Sequence, residues 1–202
     1  MMLFILTFAV AATSVSASAE TGSPTFAAEG APRHPTVYQT PEDVARARDN
    51  VKRFDWAKKM ADEIVAQADG WLERPDEWYR DNMPGAGACF AYGFTGCPIC
   101  GANLGGWWIK ANASWDKPGQ VTCDKGHLLP DAGHPDPGTG YVAKDGRIHY
   151  LKGTYNSWAI EQMTMRASDS LAAAYSLTGD EKYSAKAALI LDLVAAIYPA
   201  CD

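Results

Sequence analysis

"NSWAIEQMTMRASDSLAAAYSLTGDEKYSAKAALILDLVAAIYP", Asn156 to Pro199, is the stretch whose reading decides the fold. Ile160, Met163, Ala167, Leu171 and Ala174 recur at steps of three and four, and so do Tyr183, Ala187, Ile190, Val194 and Ile197. Residues at that spacing share one helix face, so each series predicts a helix with a buried stripe. Thr178-Gly179-Asp180 separates the two. Glycine readily takes the left-handed conformation that closes a helix, and aspartate is a favoured N-cap for the next. So short a connection makes the two helices antiparallel neighbours, a helical hairpin.

Toward the N-terminus, "HPTVYQTPEDVARARDNVKRF", from His34 to Phe54, carries a sharp helix start. Thr40 is placed to cap, Pro41 suits the first helical position, and Asp43 completes a capping arrangement. A second helix is expected from about Asp55. Trp56, Met60, Ile64, Ala68 and Trp71 give it an apolar face at steps of four, four, four and three.

Between these regions the texture changes. Fourteen of the chain's 18 glycines fall in residues 84–153, which rules out a long helix there. The insert contains "CPICG", from Cys97, and "CDKGH", from Cys123 to His127, with 22 residues between Cys100 and Cys123. Cys97 and Cys100 in a tight turn direct two sulfurs to one centre, and Cys123 with His127 repeats the arrangement. Four such ligands in two pairs suit tetrahedral zinc with no open position for a reacting water, so the expected role is structural. Other readings stand beside it: a Cys97–Cys100 redox pair, structural disulfides, or His134 as fourth ligand in place of His127. Cys89 and Cys201 stand outside the pattern and are candidates to pair with each other. Trp107, Trp108 and Trp115 are candidates either to stack on sugar rings or to pack the metal lobe. Asn112-Ala113-Ser114 is a glycosylation sequon in a eukaryotic host.

The 202 residues are 47% apolar with a formal charge of −6, a globular composition that argues against nucleic acid as a partner. Residues 1–19 are uncharged, apolar through Val10, and end in Ala17-Ser18-Ala19, an A-x-A cleavage pattern before Glu20. They read as a signal peptide, which makes the mature chain secreted or periplasmic. An uncleaved signal segment would be its sole attachment to a membrane. Residues 20–36 read as a flexible leader, and 37–202 as the folded part.

The order of these segments, with "PDPGTG" at 135–140, resembles the N-terminal part of the heparinase II/III-like polysaccharide lyases, over roughly His34 to Pro199. The resemblance implies an incomplete (α/α) toroid of helical hairpins with a zinc-ribbon-like insert. In that family a toroid precedes a β-sandwich, and the cleft between them binds acidic polysaccharide. Uronic-acid polymers are cleaved there by β-elimination, with an acid and a base in hydrogen-bond reach and donors that stabilise an enolate-like charge. The family's Asn-His motif has no counterpart in these residues, so the catalytic set is expected beyond residue 202 of a longer parent. Tyr155, Asn156 and Arg166 are the candidate substrate-binding residues, the first two expected just ahead of the third helix. The alternative is a non-catalytic exported carbohydrate-binding or interaction protein with a structural zinc loop. A toroid glycoside hydrolase would need paired carboxylates, and Glu161 with Asp169 lie more than two helical turns apart.

Overall fold

Phe54 is the only residue between the first two helices, α1 (Pro41–Arg53) and α2 (Asp55–Leu72), of a chain whose computed structural model describes residues 39–105 and 111–200. The expected start of α1 is present. The Thr40 hydroxyl accepts from the Asp43 amide at 3.2 Å, and the Asp43 carboxylate accepts from the Thr40 amide at 3.0 Å. The expected apolar face of α2 is buried only toward its end, where Ala68 is fully buried and Trp71 packs against the helical core. At its start Trp56 and Met60 are 60% and 56% exposed, and Ala57 and Ala61 are buried in their place. The reason is geometric. Each four-residue step overshoots a full turn by about 40°, so from Trp56 to Ala68 the stripe drifts by about 120°. The alanines let α2 pack closely on the later helices.

A short helix, α3 (Asp76–Asn82), was not expected from the sequence. Pro75 stands at its start, and Tyr79 is fully buried with its hydroxyl donating to the Trp71 carbonyl at 2.6 Å. The Arg74 guanidinium lies over Trp71 and Trp78, at 4.2 and 4.7 Å from the rings.

The glycine-rich insert holds no helix among its described residues up to Tyr150. It forms two-residue strands in two antiparallel groups. The first is β1 (Asn112–Ala113), β2 (Val121–Thr122) and β3 (Leu128–Leu129), with Val121 opposite both Ala113 and Leu129. The second is the pair β4 (Tyr141–Val142) and β5 (Ile148–His149).

From Leu151 to Thr178 the chain is continuously helical: α4 (Leu151–Glu161), a π-helical turn (Gln162–Ser168), and α5 (Asp169–Thr178). Helix α4 therefore begins before Tyr155 and Asn156, and both lie inside it rather than ahead of it. The correction has a clear cause. Tyr150, at the cap position, makes no capping hydrogen bond through its side chain. The cap comes from Asp136 of "PDPGTG", whose carboxylate accepts from the Lys152 amide at 2.8 Å and from Gly138 and Gly140 at 2.7 and 2.9 Å. A cap supplied from sixteen residues away leaves no local start signal.

The π-helical turn explains a second feature. Ala159, Met163, Ala167 and Leu171 follow one another at steps of four, yet all are fully buried. The wider i→i+5 turn rotates less per residue, which offsets the drift that exposes Trp56 and Met60 in α2. Gly179 (φ 75°) then closes α5, and Asp180 accepts from the Lys182 amide at 3.1 Å to start α6 (Glu181–Ile197), as expected. A final 3₁₀ turn covers Tyr198–Ala200. The stretch Glu181–Ala200 has the length and apolar content to cross a membrane. Its Tyr183, Ala187 and Ile190 are nonetheless buried in the helical core.

The molecule is thus mainly helical, and the buried residues form two clusters. One contains Ala68, Tyr79, Met163, Leu171, Tyr183 and Ile190 from the helices. The other joins Cys97, Leu104, Val121, Cys123 and Leu129 of the insert to Leu151, Tyr155 and Ala159 of α4. Trp115 packs against both, its ring 4.9 Å from Trp78 and 4.5 Å from Trp158.

Candidate metal centre and a cavity at helix α4

Two backbone turns build the cysteine cluster. In the first, the Cys97 amide donates to the Ala102 carbonyl at 2.7 Å and the Gly101 amide returns to the Cys97 carbonyl at 2.8 Å. In the second, Cys123 and His127 pair through N–H···O at 3.0 Å, while the Gly126 amide donates to the Cys123 carbonyl at 2.8 Å. Gly101 (φ 72°) and Gly126 (φ 85°) take the left-handed conformation that lets each turn close around its ligands. The Asp124 amide donates to the Asn103 carbonyl at 3.2 Å, which ties one turn to the other.

The result is convergence. One ligand atom each from Cys97, Cys100, Cys123 and His127 lies within 4.8 Å of all the others, a group that could hold a metal ion. Cys100 Sγ is 3.8 Å from Cys123 Sγ, and His127 Nδ1 is 3.7 and 3.4 Å from Cys97 and Cys123. A tetrahedral ion with metal–sulfur bonds of about 2.3 Å and a metal–nitrogen bond of about 2.05 Å requires edges of about 3.8 and 3.5 Å. These three edges agree with those figures, and the remaining separations stay within 4.8 Å. The Cys100–Cys123 separation is nearly twice the roughly 2.05 Å of a disulfide bond, and Cys97, Cys100 and Cys123 are thiols. His134 is elsewhere, its Nδ1 2.9 Å from Asp131 Oδ1.

Electrostatics make the thiols unequal. Burial pushes the Cys97 thiol up to about 11. Cys123 is buried too, which opposes ionisation, but hydrogen bonds from the His127 and Lys125 amides and from the His127 side chain bring it down to about 7. Cys123 is therefore more readily ionised than an ordinary thiol, while Cys97 must lose its proton to bind a cation.

A cavity of about 420 Å³ opens beside the start of α4. Asp81, Asn82, Cys89, Lys152, Tyr155 and Asn156 contribute its side-chain chemistry, with Pro118-Gly119 and Pro137-Gly138 among its walls. The structure thus brings Tyr155 and Asn156 together in one site. The Asn156 side-chain amide donates to the Cys89 carbonyl at 2.9 Å. Burial raises the Tyr155 hydroxyl pKa above its ordinary value. Arg166 is not brought there: it is exposed on the π-helical turn and does not line the cavity.

Sequence reasoning missed Lys152 and Asp81. The signal for Lys152 was its position one residue after the true start of α4, which a distant cap concealed. Trp115 sits between the two cores rather than on a sugar-facing surface. Trp107, Trp108, Cys201, the signal peptide 1–19 and the leader 20–36 lie outside the described residues.

Comparison with family models, curated proteins and solved structures gives no match. The chain's own geometry carries the functional reading.

Proposed function

We propose that this chain is a zinc-stapled, exported, sugar-binding module: the N-terminal toroid part of a polysaccharide lyase that cleaves uronic-acid polymers by β-elimination. Zinc, held by Cys97, Cys100, Cys123 and His127, is structural. It would order a glycine-rich lobe that buries too little apolar surface to fold alone, contributing on the order of 10 kcal/mol by comparison with zinc-finger peptides. The donor set supports zinc over harder cations, because three thiolates and an imidazole are soft to borderline ligands.

The observation that carries the carbohydrate reading is the cavity at α4. It groups an amide, a phenol, an ammonium and a carboxylate with several backbone turns, the mixture of donors and acceptors that sugar hydroxyls require. Lys152 supplies the cation that an acidic polysaccharide needs. Tyr155 belongs both to this cavity and to the apolar cluster around the metal-binding cysteines. The staple therefore supports the binding face through α4.

Proton transfer at C5 of a uronate needs a base and an acid on the reacting sugar, and the Asn-His motif implied by the family resemblance does not occur in these 202 residues. On this reading the chain binds and its parent cleaves. Two assays test the division. The zinc-loaded chain should be retarded in gels containing polygalacturonate or alginate, and Asn156→Ala should weaken the retardation. It should form no unsaturated uronate from either polymer. Absence of retardation would overturn the carbohydrate reading, and turnover would overturn the assignment of catalysis to the rest of the parent.

A further inference from the structure

In its first turns α2 buries only alanines and turns its large apolar side chains to water. Phe54, Trp56 and Met60 are 41%, 60% and 56% exposed, and the rings of Phe54 and Trp56 stack 6.1 Å apart, inclined by 20°. Trp56 and Met60, four residues apart, share one face of the helix, while Ala57 and Ala61 hold another to the protein. An exposed apolar group of this size marks a contact surface.

These side chains stand at one end of a helical hairpin. Phe54 alone joins α1 to α2, and the two helices pack on each other, so the end of α1 and the start of α2 form a single corner. Four exposed cations surround it. Lys52 and Arg53 close α1, and Lys58 and Lys59 follow Trp56 along α2. The Arg53 guanidinium lies over the Phe54 ring, 5.2 Å from its centroid, and pairs with Asp49 at 3.1 Å. Lys58 pairs with Asp62 at 2.7 Å. Lys52 and Lys59 enter no ion pair among the described residues. Asp55 is the one carboxylate between Lys52 and Met60, and the patch ends at Asp62 and Glu63. A chain with a formal charge of −6 thus carries a positive, aromatic corner.

We propose that this corner docks on an anionic phospholipid surface. Tryptophan, phenylalanine and methionine enter the boundary between headgroups and acyl chains, and lysines beside them reach lipid phosphates while their stems stay in apolar contact. Charge complementarity is local: the four cations face the lipid although the whole chain is acidic. A polysaccharide would fit less well, because sugar hydroxyls need uncharged donors and acceptors. Every polar side chain from Lys52 to Met60 is charged, and Met60 offers no ring for a sugar to stack on. The inference uses neither the cavity at α4 nor the carbohydrate reading. It adds a second attachment to the signal segment that the sequence offers as the chain's sole contact with a membrane.

Vesicle co-sedimentation tests it, using the zinc-loaded chain from Glu20 onward, which contains every described residue and leaves the signal segment out. Vesicles of about one-third phosphatidylglycerol in phosphatidylcholine should carry the chain down, and vesicles of phosphatidylcholine alone should carry far less. Trp56→Ser with Met60→Ser should weaken partitioning about tenfold, the scale of one large apolar side chain returned to water. Lys52→Gln with Lys59→Gln should weaken it on the order of 30-fold on the anionic vesicles and leave phosphatidylcholine binding unchanged. Circular dichroism and zinc content should not move, since all four side chains are exposed. An unaltered chain that stays in solution with anionic vesicles overturns the proposal, and so does full binding by either double variant. If the variants instead lose retention in alginate gels, or lose self-association in gel filtration, while no form binds vesicles, the corner is a sugar contact or a contact between copies of this chain and the proposal fails.

Discussion

Asp136 accepts more backbone amides than any other carboxylate in the described part of the chain. It is 4% exposed and accepts three backbone amides, one of them the start of α4. Asp136→Ala leaves those donors buried without partners and should cost about 2 kcal/mol, measured by urea unfolding; Asp136→Asn, which keeps one acceptor oxygen, should cost less. His149 presents the opposite balance. Its Nδ1 lies 2.8 Å from the Gly96 carbonyl, so that nitrogen donates, and Nε2 is left buried with no partner. No space is left for a side chain at Gly93, where a Cβ would lie 2.7 Å from Leu104 Cβ, or at Gly96, where it would lie 2.8 Å from the Gly101 carbonyl oxygen. Gly93→Ala should therefore lower stability by about 1–3 kcal/mol, as overpacking does, and the shift in thermal midpoint measures it.

At the scale of the elements, the metal-binding turns predict a proton-coupled binding reaction. Cys97, with its thiol up at about 11, is protonated in the metal-free chain near neutral pH, and zinc must displace that proton. Apparent zinc affinity should then rise at least about tenfold per pH unit between pH 7 and 9, and fall as acid re-protonates the thiols. Competition with a chelating dye across that range measures the slope, and a pH-independent affinity would contradict the thiolate assignment. The same scale shows what the sequence could and could not disclose. The start of α1, the hairpin break at Gly179-Asp180 and the paired cysteine turns were legible because each is written in adjacent residues. The start of α4 was not, since its cap lies in another segment. Nor was the first half of the buried face of α2, because a run of four-residue steps reads alike whether the helix drifts, as α2 does, or is reset by a π-helical turn, as between α4 and α5. The candidate cavity was half legible: Tyr155 and Asn156 were found from the sequence, whereas Asp81 and Lys152 reach it only through tertiary folding.

In the whole molecule, two buried clusters share one bridging side chain. Trp115 contacts Trp78 on the helical side and Trp158 on the lobe side. Trp115→Ala should destabilise the protein by about 3 kcal/mol and, more tellingly, separate the unfolding of lobe and helices into two transitions by calorimetry. Lys186 performs a smaller version of the same task. It donates to the Arg74 carbonyl at 3.0 Å and to the Asp76 carboxylate, holding α6 to the start of α3. Beneath these contacts the account depends on one claim, that the lobe is held by a metal rather than by its own core or by disulfides. Zinc content of the purified chain tests this most directly, by mass spectrometry of the metal before and after Cys97→Ser with Cys123→Ser. The account predicts about one zinc per chain, lost in the double variant together with protease resistance of residues 97–127. Stoichiometric zinc that survives both substitutions would contradict it.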